Sequence, residues 1–321
     1  MADAGARSHA PDGDPFAHAR ARLAARIERE RSLRPDIPQL DELVAEVAEL
    51  QPLPAVATRI LQLGDDHRFS AHELATVIAS DQVLTSRLLR LANSAYYGSA
   101  RRIGSVRDAV VLLGFRTVHQ VALAACMIDT PRRAGSLDYG AFWQFSIATG
   151  LLAEILARVD ARHQDVAFTA GVMHNIGLLA LDQQRPRLLA EVTARARAQT
   201  ETLHQAERAL LGYTDTDLGA ALTEHWNFPA SLCEALREHS RPLDDPPPVD
   251  SLAATLARAR IFARSYGISD GVGDRPEREA EVEAAPAREW EQGALAVSLE
   301  LEGGMERVLE RADAFIAAAL G

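Results

Sequence analysis

The sequence predicts an all-α protein, a two-lobed helical bundle with a C-terminal helical extension. Three observations carry this. No stretch alternates apolar and polar residues over strand length. Apolar residues instead recur at helical spacing in segments that open on Ser, Thr, Asp or Pro and close on Gly, Asn or Pro. In the second half the breaks between segments are short, as expected for packed antiparallel neighbours.

Taken in order, residues 1–35 read as a tail rich in Gly, Pro and Asp followed by a charged helix, HARARLAARIERERSL, with a thin apolar stripe and no site. Residues 36–267 form the main body, with a first lobe over 36–128. In it Pro52 and Pro54 open a helix carrying Val56, Ile60, Leu61 and Leu63 that ends near Gly64. Ser70 and Glu73 make a capping box before LATVIA. Ser80-Asp81 breaks the chain ahead of VLTSRLLRLANSAYYG, and Ser105 with Asp108 caps AVVLLG. FRTVHQVALAACMI completes the lobe, and DTPRRAGSLD is a loop. The second lobe, 139–267, starts with AFWQFSIATGLLAEILARV and continues through five further helices after His174. Residues 268–288 read as an acidic linker. Residues 289–321 give one or two terminal helices interrupted at Gly303-Gly304.

Length and composition narrow the function classes. A chain of 321 residues, 47% hydrophobic and 25% charged, is that of an ordinary globular protein with a substantial core. No apolar run reaches the roughly 20 residues needed to span a bilayer, and the polar start is no secretory signal. A cytoplasmic protein that does not enter membranes is expected. Cys126 and Cys233 lie in apolar helical patterns and are expected as reduced core thiols. The net charge of −11 is uneven: residues 270–321 hold 13 Asp/Glu against 5 Arg, which leaves the body near neutral. All 34 basic residues are Arg, yet they form no stripe of the kind DNA or RNA binders carry. Walker loop, dinucleotide fingerprint, metalloprotease helix and nucleophile elbow are all missing.

Chemistry centres on VAFTAGVMHNIGLLALD, residues 166–182, a nearly unbroken apolar stretch of helical length with His174-Asn175 in its middle, flanked by Gly171 and Gly177. A buried imidazole and amide need partners. Metal-dependent phosphohydrolysis uses a helical His-Asp pair whose carboxylate holds cations, but Asn175 offers one neutral carbonyl oxygen. The pair is therefore expected to hydrogen-bond within the core.

Three segments resemble the first half of HDOD domains, bacterial modules related to the HD-type phosphohydrolases: LQPLPAVATRILQL, LATVIASDQVLTSRLLRLANSAYYG and SVRDAVVLLG. Residues 142–267 are similar to the second half, so the resemblance covers roughly 36–267. Asp81, Asn93, Ser94, Tyr96, Tyr97, Gly114, His174 and Asn175 carry it. It implies a non-catalytic helical signalling module and names no ligand; a signalling protein partner or a small regulator, and no cofactor, are expected. Set against the HD ligand positions, Phe145 stands where the first His would be, Asn175 replaces Asp, and Arg260 stands for the distal Asp. Asp215 departs from the family pattern, where His is expected, and Gln82 follows Asp81 where Pro is common.

Two alternatives stay open. His174, His225 and His239, with Asp215 and Glu238 nearby, are metal candidates for a phosphohydrolase with a rebuilt site. Arg87, Arg90, Arg101, Arg102, Arg107 and Arg116 are candidates for a patch that receives a cyclic dinucleotide or other nucleotide messenger. The acidic C-terminal appendix is a candidate to fold back on these arginines.

Overall fold

The computed structural model describes residues 37–50, 54–65, 71–94, 97, 102–128, 136–242, 244–273 and 293–320. The expected N-terminal tail and most of the acidic linker lie outside the described residues, as do Tyr96, Arg101 and Ser70 of the first lobe. The described residues form helices and no strands, so the fold class is the one expected.

The first lobe contains α1 (Leu40–Leu50), α2 (Ala55–Asp65), α3 (Ala71–Ala79), α4 (Gln82–Ala92), α5 (Val106–Leu113) and α6 (Phe115–Ile128). Its punctuation follows side-chain capping. Asp81 accepts from the Leu84 N–H at 2.9 Å to start α4, and Ser105 accepts from Asp108 at 3.1 Å to start α5. Gly114, at φ 85°, turns the chain from α5 into α6 in a conformation that favours glycine. Asn93 caps the C-terminal end of α4. Its amide donates to the carbonyls of Leu89 and Ile103, at 2.7 and 2.8 Å, while its own oxygen accepts from the Ile103 N–H at 2.8 Å.

The second lobe is built around α7 (Tyr139–Val159), capped by Asp138. By length and composition alone α7 is long and apolar enough to cross a membrane, contrary to the sequence expectation, but most of it is buried inside the protein. It is followed by α8 (Ala167–Met173), α9 (Ile176–Gln184), α10 (Pro186–Gln199), α11 (Leu203–Leu210), α12 (Asp215–His225), α13 (Ala230–Glu238) and α14 (Leu252–Ser265), of which α8 and α14 pack on α7. Both cysteines are free and buried.

The stretch 166–182 is two helices, not one, and His174-Asn175 is the break between them. The carbonyls that a continuing helix would use are engaged elsewhere. Gly171 O accepts from His174 Nδ1 at 2.6 Å, and His174 O accepts from His239 Nε2 at 3.1 Å. The two glycines allow helices to cross closely on either side of the break. A Cβ on Gly171 would lie 2.4 Å from Gly150 Cα, and one on Gly177 would lie 1.9 Å from Asp215 O. The second crossing brings the start of α9 against the start of α12.

After the linker come α15 (Ala294–Leu301) and α16 (Gly304–Leu320), separated at Gly303 and Gly304, both at positive φ. The terminal segment is thus two helices, and α16 packs on both α7 and α4. Arg90 donates from Nη2 (2.8 Å) and Nε (3.2 Å) to Ala318 O, a carbonyl of the last turn that lacks an intrahelical partner. The appendix does reach this arginine, through a helix end and not through its acidic groups. At the other end of the fold, α1 packs on α12, and Glu46 of α1 holds Arg185 in a two-pronged pair at 2.5 and 2.8 Å.

Candidate functional site

The break between α8 and α9 lies at the middle of a buried polar cluster. His174 and His239 are each 1% exposed, and Asp215, Arg260 and Glu207 are also buried. The imidazoles of His174 and His239 meet edge to face with centroids 5.2 Å apart. Because each ring bonds a carbonyl oxygen, His174 carries its proton on Nδ1 and His239 on Nε2. His174 Nε2 is left as a buried lone pair with no hydrogen-bond partner. Burial pushes the His174 pKa down to about 3; its bond to Gly171 O opposes this, and Arg260 and Arg264 add to it. His239 is also pushed well below its ordinary value, first by burial and then by His174 and Arg260. Both rings are therefore neutral.

Two of the positions that the resemblance sets against the HD ligands carry a phenylalanine and an arginine. Phe145, fully buried, packs on the His174 ring with centroids 5.5 Å apart. Arg260 supplies a fixed positive charge that acts on both histidines. Arg264 lies over Phe145 and pairs with buried Asp270 at 3.0 Å. Of the three histidines proposed as metal candidates, the structure joins His174 and His239 but leaves His225 exposed at the far end of α12 from Asp215. An eleven-residue helix separates those ends by about 15 Å.

Two residues that sequence reasoning missed complete the cluster. His204 Nε2 approaches Asp215 Oδ1 at 2.8 Å, and the Asp215 N–H donates to Glu207 Oε2 at 3.2 Å. Burial pushes the Asp215 carboxyl up, but His204, Glu207 and His239 together hold it well below the ordinary carboxylate range. One ligand atom from each of His204, Glu207 and Asp215 lies within 4.8 Å of the others. The signal was the i, i+3 spacing of His204 and Glu207 on one helix face, with an acid just past the next turn.

A separate groove of about 900 Å³ opens between α4 and α16, where Arg90, Asn93, Ser94 and Arg102 line it beside Ala314 and Ala317. Of the family-pattern residues described, Asn93 and Ser94 thus border a cavity. Asp81 serves as a helix cap, Gly114 as a turn, and Tyr97 is half-buried, its hydroxyl held in the neutral form first by burial and then by Glu154. Arg101 lies outside the described residues, and the other arginines of the expected patch have individual contacts. Arg90 and Arg102 share the groove, Arg87 donates to Ala125 O at 3.3 Å, Arg107 to His72 Nδ1 at 3.1 Å, and Arg116 pairs with Asp165 at 2.9 Å.

The HDOD domain model matches residues 50–242. A curated relative, an uncharacterized protein of Treponema pallidum (strain Nichols), is 23% identical over 234 residues; these cover 70% of this chain but 45% of the relative's length. Among solved structures, a candidate phosphohydrolase from Shewanella amazonensis SB2B superposes with a TM-score of 0.68 at 27% identity, covering 85% of this chain and 97% of that one. An HDOD domain protein of unknown function from Geobacter sulfurreducens also gives a TM-score of 0.68, at 21% identity and with 91% and 98% covered. A candidate signal transduction protein from Marinobacter aquaeolei VT8 gives 0.63 at 27% identity, with 95% and 66% covered.

Proposed function

Because the chain belongs to the HDOD domain family, we propose that it is a regulatory binding module of signal transduction and does not turn over a phosphodiester. One observation carries this reading: the HD frame is sealed. His174 is 1% exposed, Phe145 covers its ring and Arg260 brings a cation where a metal would need an anion. A phosphodiester could not reach that lone pair without opening the core. An accessible concave surface among the described residues is the groove at Asn93 and Ser94, which suits a signalling protein partner or a small regulator.

The test is hydrolysis of bis(p-nitrophenyl) phosphate and of cyclic dinucleotides by the full chain with Mn²⁺ or Mg²⁺. The expected outcome is no turnover above the protein-free rate. Turnover abolished by His174→Ala in a folded variant would overturn the reading and restore the phosphohydrolase alternative.

The pairing of Arg90 and Arg102 on one groove favours a second form of the same reading, in which the ligand is an anionic messenger such as a cyclic dinucleotide. Arg102 is exposed and can be reversed without disturbing the core. Arg102→Glu should weaken binding of a labelled cyclic dinucleotide at least about tenfold at physiological salt. Binding that simply fades with salt equally in both proteins would mark mere charge attraction.

A further inference from the structure

We propose that the last turn of α16 competes with the groove's anionic ligand for Arg90, so that binding of the anion and release of that helix end are one event. The inference rests on the reading of this groove as an anion site and states how the site is regulated. Arg90 is exposed, stands in the last turn of α4 and lines the groove. Its Nε and Nη2 both donate to a single oxygen, the Ala318 carbonyl, at 3.2 and 2.8 Å, while Nη1 donates to Ser86 Oγ at 2.9 Å.

The Nε–Nη2 edge of a guanidinium matches the two oxygens of a carboxylate or a phosphate. Here it holds one carbonyl oxygen. Ala318 O belongs to the last turn of α16, whose final carbonyls carry the partial negative charge of the helix end. It thus takes the place of an anion's oxygen at reduced charge. A phosphate group offers the same edge two acceptors and a full negative charge, which a single carbonyl does not match. Both cannot occupy the edge at once, so the ligand displaces the helix end.

The docking of α16 is of a kind that permits release. Phe315 packs on Phe168 with ring centroids 5.9 Å apart, and Gln144 of α7 donates to Asp313 at 2.9 Å. Along the groove α16 presents Ala314 and Ala317, short side chains that offer α4 little apolar area. Docking also buries charge. The Arg311 side chain is 12% exposed and lies 3.4 Å from Glu302 and 3.9 Å from Glu154. Burial pushes the Arg311 pKa down to about 10 and that of Glu154 up, so desolvation of both groups opposes the docked state. Linkage then fixes the signs. If the anion favours release, release favours the anion by the same factor. The affinity measured for the docked protein is reduced in proportion to the fraction whose helix end has left Arg90.

The full chain is titrated by calorimetry with inorganic pyrophosphate, a probe with two phosphoryl groups, at constant ionic strength. Amide hydrogen exchange across α16 is followed in the same solutions by mass spectrometry. Pyrophosphate should speed exchange over residues 304–320 at least about fivefold. Phe315→Ala, a neutral change outside the groove, loosens the helix and should tighten pyrophosphate at least about fivefold. Gln144→Ala should act in the same direction more weakly, and it carries the test if circular dichroism shows Phe315→Ala unfolded. Binding found only in the loosened variants is the same competition in its extreme form. Exchange across α16 that slows or holds steady while pyrophosphate binds, or equal affinity in the wild type and the folded variants, overturns the competition and leaves the groove as an anion site. Pyrophosphate that binds none of these proteins, or binds Arg102→Glu as tightly as the wild type, overturns both.

Discussion

At the scale of single residues, the chemistry of this protein is set by which polar groups are buried and what each one bonds. The sequence made the burial of His174 and Asn175 legible, because a polar pair inside an apolar run has nowhere else to go. It could not show that the pair ends one helix and starts another, since that depends on His239 arriving from α13 to bond His174 O. A neutral His174 makes the protein acid-sensitive. Its pKa is about 3 in the fold against 6.5 for the free side chain, so the unfolded chain takes the proton first. Stability should then fall as pH drops below 6.5 and keep falling toward 3, by up to about 1.4 kcal/mol per unit for this one group. Urea midpoints at pH 7, 6, 5 and 4 should show a shallower decline for His174→Gln than for the wild type; parallel declines would mean that His174 is charged or exposed. Asn93 gives a second expectation. Replacing it with Ala strands the Ile103 N–H and C=O, and should cost about 2 kcal/mol in denaturant unfolding. An unchanged midpoint would remove its structural role and leave only its place on the groove.

At the scale of elements, caps and glycines were readable in different degrees. Ser105, Thr202 and Asp81 announce their helices by residue type and spacing, and each caps the helix that follows. Gly171 and Gly177 were visible as small residues beside the polar pair, but their partners, Gly150 and the Asp215 backbone, are distant in sequence and only the crossing reveals them. Gly177→Ala drives a methyl into Asp215 O and should destabilise by about 3 kcal/mol, the upper end of overpacking costs. Gly267→Ala is the comparison in open space. No atom lies within 4 Å of a Cβ there, so its cost should come from the positive φ alone and be smaller. Equal melting temperatures for the two variants would mean that α9 and α12 do not cross as described.

On the scale of the whole molecule, α16 and α1 tie the chain together. The first packs on α4 and α7, the second on α12, and one apolar core runs through both lobes. The sequence foretold terminal helices docking on the body but not which helices they pack on, because an amphipathic face does not name its partner. Deleting 304–321 uncovers Phe168, which packs on Phe315, and frees Arg90 from Ala318 O. Calorimetry should then show a lower melting temperature and loss of a single cooperative transition; an unaltered transition would make α16 an accessory. Under the proposed binding role, Asn175→Asp alone makes no hydrolase: it adds an unmatched buried carboxylate while Phe145 still packs on the His174 ring and Arg260 keeps its charge beside both histidines.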